Sequence, residues 1–271
     1  MPEFPEVYTI VKDLNKYLSN STITHIESIS GYIIKSEFPN PHQLIIGQKI
    51  QKVTQIAKNI VFELTEYDMI FHLAMTGKLL IRSPNFKQDS HLRLAFSLVK
   101  NDELLELRFT DVRMFGKVQL ISKAATHKLS TKVGPNPLDT SLSAKYFHTI
   151  LKSKKSNIKN VLMDQEKISG LGNVYATDAL WIAQIHPTRT TSSITQEESQ
   201  KLLEACREIL NEGIKNRGLT ISDYVDAFGK PGFQQNFFRI YQRQMCKRCN
   251  LPSQTITLNT RTTYFCPNCQ K

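Results

Sequence analysis

No stretch of the chain approaches the roughly 20 consecutive apolar residues that a membrane-spanning helix needs, although 40% of its residues are hydrophobic. The opening MPEFPEVYTI has no basic segment followed by an apolar one. No secretory signal is therefore expected, and the expected location is cytoplasmic, at the nucleoid. Internal repeats and low-complexity tracts are missing, which removes solenoids and arrays from consideration. No cysteine precedes Cys206, and the other four crowd the C-terminus as Cys246, Cys249, Cys266 and Cys269. A secreted disulfide framework spreads its cysteines and rarely leaves an odd one, so that class is excluded too. Acidic residues are in deficit: 24 Asp and Glu face 35 Lys and Arg, a formal charge of +11. Such a surplus fits a polyanionic partner, nucleic acid first among them, with plain solubility as the blander reading.

What is present falls into blocks. Val7, Ile10, Val11, Leu14, Tyr17 and Leu18 lie at helical spacing over residues 6–18, with Pro5 tolerated in the first turn. From Thr22 to about Ser122, short β-rich runs such as NIVFELTE, HLRLAFSLV and KVQLIS recur every ten residues or so, as in a β-sandwich or barrel. KVGPNPLD (132–139) is too dense in proline and glycine for either element and reads as a linker. Apolar residues then return to three- and four-residue spacing in SAKYFHTILKS, NIKNVLMDQ, NVYATDALWIAQI and TQEESQKLLEACREILNEGIKN. Cys206 sits in the last of these as an expected helix-core residue. The expected division is a β domain over 1–131, a linker over 132–150, a helical domain over 151–237 and a metal module over 238–271.

Two Cys-x-x-Cys knuckles separated by sixteen residues match a four-thiolate zinc ribbon. Four protein ligands close the coordination sphere, so one structural zinc is expected, contributing folding energy to a segment too short for its own core. Arg261 lies near the tip of the intervening hairpin, within reach of a phosphate. At the other end, Pro2 becomes a secondary α-amine once Met1 is trimmed. An α-amine has a pKa near 7.7–8, far below that of lysine, and the positive end of the first helix disfavours its protonation further. A neutral amine can attack the C1′ carbon of a nucleotide and form an iminium. Glu3 can exchange protons with the opening sugar, and Glu6 follows within one helical turn.

Five separated motifs carry a resemblance along the whole chain: MPEFPEV at the start, FHLAMTGK (71–78), DVRMFGK (111–117), DQEKISGLGNVYA (164–176) and FCPNCQ (265–270). In this order they resemble the formamidopyrimidine-DNA glycosylase / endonuclease VIII family of bifunctional base-excision enzymes, and the FPEV opening leans toward the formamidopyrimidine branch. The resemblance implies an α+β fold: an N-terminal helix and β-sandwich, a helical domain with a helix–two-turns–helix motif, and a four-cysteine zinc ribbon. It implies Pro2 as Schiff-base nucleophile, Glu3 as its acid/base partner, and Lys58 as a lysine that contacts phosphate and assists catalysis. Met75, Arg113 and Phe115 match the side chains that fill the gap left by an extruded nucleotide. Asn173 and Arg261 would clamp phosphates, with Tyr241 and His72 as further phosphate contacts. Residues 217–224 fall where the family closes over the flipped base, but match only partly. The implied function is release of oxidised purines from double-stranded DNA by a monomer, followed by lyase cleavage of the strand. An oxidised-pyrimidine glycosylase of the endonuclease VIII type and a non-catalytic zinc-finger DNA-binding protein remain as alternatives.

Overall fold

Val7, Ile10, Leu14 and Leu18 form the buried stripe of helix α1 (Phe4–Leu18) in the computed structural model, which describes residues 1–29 and 31–271. The helix starts two residues earlier than the apolar spacing alone indicates, because Pro5 suits a first turn that has no use for its missing N–H. A Glu3–Glu6 capping box closes that turn, with the Glu3 N–H donating to Glu6 Oε2 at 2.8 Å. Chain contacts group Met1–Thr131 with Arg217–Phe233 in a first unit, and Lys132–Asn216 with Gln234–Lys271 in a second.

In the first unit the β-rich runs become β1 (Thr22–Ser28), β2 (Lys35–Ser36), β3 (Ile50–Ile56), β4 (Asn59–Leu64), β5 (Tyr67–His72), β6 (Gly77–Arg82), β7 (Leu92–Lys100), β8 (Glu103–Asp111) and β9 (Lys117–Ser122). The short helices α2 (Pro41–Ile45) and α3 (Lys123–Thr131) flank them. One sheet runs β1-β7-β8-β6 and the other β2-β9-β5-β4-β3, antiparallel except for the short β2–β9 pair. Strand β7 buries every second residue from Leu92 to Leu98, so its inner face meets the opposite sheet. Phe71 of β5 packs across the sandwich on Phe96 of β7 and Phe109 of β8, at centroid separations of 6.0 and 5.9 Å. Removing such a ring, as in Phe71→Ala, costs about 3–5 kcal/mol.

One helix has no counterpart in the sequence pattern, and one segment groups elsewhere than the expected division. Helix α3 buries none of its residues, so no apolar period announces it. Residues 217–233, expected with the helical domain, belong to the first unit: Ala227 is fully buried in its core, and the Ile81 N–H of β6 donates to Ala227 O at 2.8 Å. Tyr224 and Phe228 pack against the same core beside Ala227.

The second unit contains α4 (Ala144–Lys152), α5 (Ile158–Met163), α6 (Asn173–Ile182), α7 (Gln196–Lys215) and a hairpin of β10 (Gln254–Leu258) with β11 (Arg261–Phe265). Helix α4 occupies the end of the segment taken as linker, starting from Ser143, whose side chain accepts the Tyr146 N–H. Thr195 and Glu198 form a capping box on α7, whose inward face includes fully buried Cys206. Burial pushes the Cys206 thiol up to about 12, so this cysteine is an inert apolar filler. Asn259 and Thr260 both adopt positive φ, 44° and 63°, the geometry of a two-residue hairpin turn. Among the described residues no helix is long and apolar enough to cross a membrane.

Candidate functional site

Pro2 is buried immediately ahead of α1, and Glu3 is 4% exposed. The turn joining β3 to β4 carries Lys58, half-buried, directly after Ala57 at φ 52°. The Gln55 side-chain amide donates to Ala57 O at 2.7 Å and to Phe4 O at 3.4 Å, so one residue ties the lysine-bearing turn to the start of α1. His72 ends β5 opposite Asn59 and Lys117, with Nδ1 3.0 Å from Asn59 Oδ1. Burial lowers its pKa, and Lys117 and Lys58 lower it further, so His72 is neutral at neutral pH. Pro2, Glu3, Lys58 and His72 thus lie on mutually tied segments of one unit.

Met75, Arg113 and Phe115 also come together, and they stand in solvent rather than in the core. Met75 is 45% and Phe115 54% exposed. The Arg113 guanidinium lies 4.7 Å from the Phe115 ring centroid, and its Nη1 is 3.3 Å from Met75 Sδ. Asp111, fully buried, holds this array from beneath. Its Oδ2 accepts the Gly116 N–H at 2.7 Å, while Oδ1 accepts the Arg113 N–H at 3.3 Å and the Thr76 hydroxyl. Gly116 is required here: a Cβ would sit 2.7 Å from the Phe109 ring and 2.9 Å from Asp111 Oδ2. An exposed cation, ring and thioether on a rigid base can enter a base stack.

In the second unit, Gln165 organises the loop before α6: its amide donates to Met163 O and Leu171 O at 2.9 and 2.8 Å, and its Oε1 accepts the Gly170 N–H at 2.9 Å. Gly170 takes φ 91°, which an L side chain rarely adopts. The loop delivers Asn173 as the first residue of α6, at the positive end of the helix dipole, which suits an anion. Asn173 Nδ2 donates to Thr262 O at 3.1 Å, which sets it against the residue next to Arg261. Beneath the pair, fully buried Lys159 donates to Asn173 Oδ1, Thr177 Oγ1 and Thr263 Oγ1 at 2.7, 2.8 and 2.7 Å. Because the ammonium can only donate, Asn173 must present its oxygen to Lys159, which leaves its NH₂ as the donor to Thr262 O with one further N–H to give. Arg261 is exposed at the start of β11. Tyr241 packs edge-on against Tyr264 of β11, with ring centroids 5.3 Å apart.

The four C-terminal cysteines gather as the spacing requires, with all four Sγ atoms within 4.8 Å of one another. Cys246 and Cys269 are separated by 3.9 Å and Cys249 and Cys266 by 3.5 Å. Tetrahedral zinc with Zn–S bonds near 2.3 Å places its sulfurs about 3.8 Å apart, so the set fits zinc and leaves no open position. This is a structural zinc site. The indole N–H of Trp181, the one tryptophan, donates to Cys246 Sγ at 3.2 Å and joins α6 to the ribbon.

Three family models cover the chain in sequence. The formamidopyrimidine-DNA glycosylase N-terminal domain matches residues 1–118, the H2TH domain of the same enzymes residues 133–225, and a zinc finger found in FPG and IleRS residues 244–271. The formamidopyrimidine-DNA glycosylase of Desulforamulus reducens is 36% identical over 100% of this chain and 99% of its own length. That of Streptococcus pneumoniae is 32% identical with the same coverage. The chain belongs to the formamidopyrimidine-DNA glycosylase family. Solved structures agree: wild-type Lactococcus lactis Fpg with N7-benzyl-Fapy-dG-containing DNA superposes with a TM-score of 0.89 at 30% identity, covering 100% of both chains. Its complex with abasic-site DNA gives 0.89 at 31% identity, covering 99% of each.

Within this glycosylase fold, three residues that sequence reading passed over support the ones it selected. Asp111 opens the DVRMFGK motif, where only Arg113 and Phe115 are singled out by the resemblance. Lys159 is one of many lysines in a basic chain. Asp178, 1% exposed, accepts the backbone N–H groups of Arg239, Ile240 and Tyr241 at 2.8, 3.0 and 3.0 Å, fixing the segment that carries Tyr241. Burial raises the Asp178 pKa, and the three N–H groups oppose that rise. Its only sequence signal was a charge inside the otherwise apolar ATDALWI run.

Proposed function

We propose that this chain excises oxidised purines, 8-oxoguanine and formamidopyrimidines, from double-stranded DNA and then cleaves the abasic strand. After removal of Met1, the Pro2 nitrogen attacks C1′ and the base leaves with a proton. Ring opening yields an iminium, which acidifies the C2′ proton. Loss of that proton expels the 3′ phosphate, and a second elimination expels the 5′ phosphate. Glu3 moves the proton at the sugar, while Lys58 and neutral His72 face the phosphates beside the lesion. Met75, Arg113 and Phe115 occupy the vacated stack. Asn173, Arg261 and Tyr241 take phosphates from the second unit, with the Cys246, Cys249, Cys266 and Cys269 zinc contributing the folding energy of the Arg261 hairpin. The enzyme acts as a monomer on the cytoplasmic, nucleoid chromosome.

The observation that carries this reading is the exposed Met75–Arg113–Phe115 array on its buried Asp111 base, in the same unit as the Pro2–Glu3 helix start. Base release and strand cleavage, measured on duplexes containing 8-oxoguanine, thymine glycol or an abasic site, test it. Preferential cutting of 8-oxoguanine opposite cytosine is expected. Preference for thymine glycol would move the chain to the endonuclease VIII type. Tight binding without cleavage of any duplex would leave a non-catalytic DNA-binding protein.

A further inference from the structure

The turn that carries the exposed array is gripped at one residue, Gly116, from two sides. Asp111 Oδ2 accepts the Gly116 N–H at 2.7 Å, and the Tyr32 hydroxyl donates to Gly116 O at 2.9 Å. Both backbone polar groups of the residue after Phe115 are thus committed to buried side chains, Asp111 fully buried and Tyr32 8% exposed. Phe109 closes a third side. Its ring meets that of Tyr32 edge-on, with centroids 5.5 Å apart, and its tip is the first thing a Cβ on Gly116 would strike. Within the turn, Met114 holds a left-handed φ of 55°. A side chain of that size keeps such a conformation only where its surroundings over-determine it.

Tyr32 reaches this turn from 84 residues earlier in the chain. It follows Gly31, at φ 67°, in the segment between β1 and β2. Its own backbone is fastened: the Tyr32 N–H donates to Ile29 O at 3.3 Å, and Tyr32 O accepts the Ser28 hydroxyl at the end of β1. A phenylalanine would pack on Phe109 equally well, so the bond to Gly116 O is what the hydroxyl adds. A buried hydroxyl without such a partner would be a cost. Burial, and then the Asp111 carboxylate, push the phenol up to about 12, so it keeps its proton and remains a donor at neutral pH.

We infer that Tyr32 is a positioning residue for the inserted array: through Gly116 O it fixes the backbone that aims Phe115, and with it the Arg113 guanidinium stacked on that ring, before DNA arrives. This role rests on the base-excision reading above, in which those side chains fill the vacated stack. An array already ordered loses little freedom on insertion. On a loosened turn it must be ordered at the moment of binding, which weakens the complex with a gapped stack and spares the phosphate contacts that any duplex makes.

Tyr32→Phe removes the hydroxyl and keeps the ring. Its affinity for an abasic duplex should fall roughly three- to fivefold, with affinity for an undamaged duplex unchanged. Made in a Phe115→Ala background, the same substitution should leave abasic affinity where Phe115→Ala alone puts it, because the side chain that Tyr32 aims is gone. A purely structural role would give equal losses in both backgrounds, or equal losses on both duplexes, and either result would overturn the inference. So would wild-type abasic affinity in Tyr32→Phe while Phe115→Ala binds weakly. Unchanged abasic affinity in Phe115→Ala would instead reject the inserted array itself, and the role of Tyr32 with it.

Discussion

The array at Met75, Arg113 and Phe115 and the junction at Asn173, Thr262 and Thr263 solve one problem in opposite ways. In the first unit, the proposed DNA-facing side chains are large, half-exposed and in contact with one another, while a single buried carboxylate, Asp111, holds their backbone. In the second, the outward groups are one amide and one arginine, and the support is a buried cation that grips side chains from α6 and β11 together. An inserted wedge needs a fixed backbone beneath free side chains. A phosphate clamp needs the side-chain amide itself fixed, because a flipped Asn173 would present an acceptor to an anion. Charge of opposite sign in the two supports follows: the carboxylate collects backbone N–H donors, and the ammonium collects side-chain oxygens.

That contrast can be broken from either side. The largest effect should come from the zinc: chelation or Cys266→Ala removes the ribbon's folding energy, on the order of 10 kcal/mol. DNA binding is then lost, and Trp181 fluorescence, reporting its bond to Cys246, shifts while the sandwich stays folded. In the first unit, Glu3→Gln should slow base release by roughly 10²–10⁴-fold with DNA affinity retained, measured by single-turnover kinetics. The two supports should differ from the tips they hold. Asp111→Ala is expected to cost about 1–3 kcal/mol of stability by stranding the Gly116 N–H. Phe115→Ala should shift stability by less than about 0.5 kcal/mol yet weaken binding to an abasic duplex about tenfold. Arg261→Ala should weaken all duplexes alike and reduce the salt slope of binding by about one.

The smallest effect concerns His72. Its folded pKa lies below the unfolded value of about 6.5, so the folded state binds fewer protons in that window. Its contribution to stability is therefore complete above about pH 6.5 and declines as pH falls through the folded value. His72→Gln should flatten that part of a thermal-stability profile, and an unaltered slope would count against it.

How much of this was legible beforehand depended on whether a residue had a pattern to belong to. Zinc ligands repeat as Cys-x-x-Cys, the α1 stripe repeats every three or four residues, and β7 alternates, so each announced its structure. The segment 217–233 follows the helical run in sequence, and the backbone contact of Gly218 with Gly232 that returns it to the first unit has no sequence pattern. Asp111, Lys159 and Asp178 were hidden for another reason: a buried charge reads as a surface charge until its partners are known, and those partners lie far apart in sequence. Tyr32 gave no warning at all, since the carbonyl it grips lies 84 residues further on.

The central claim is that Pro2 is the nucleophile, and borohydride trapping tests it most directly. The protein is incubated with an 8-oxoguanine duplex, reduced and mapped by mass spectrometry. The account predicts a covalent adduct on the Pro2 nitrogen in a chain lacking Met1. An adduct on Lys58 or another lysine, or strand cleavage by a chain that keeps Met1, would contradict it.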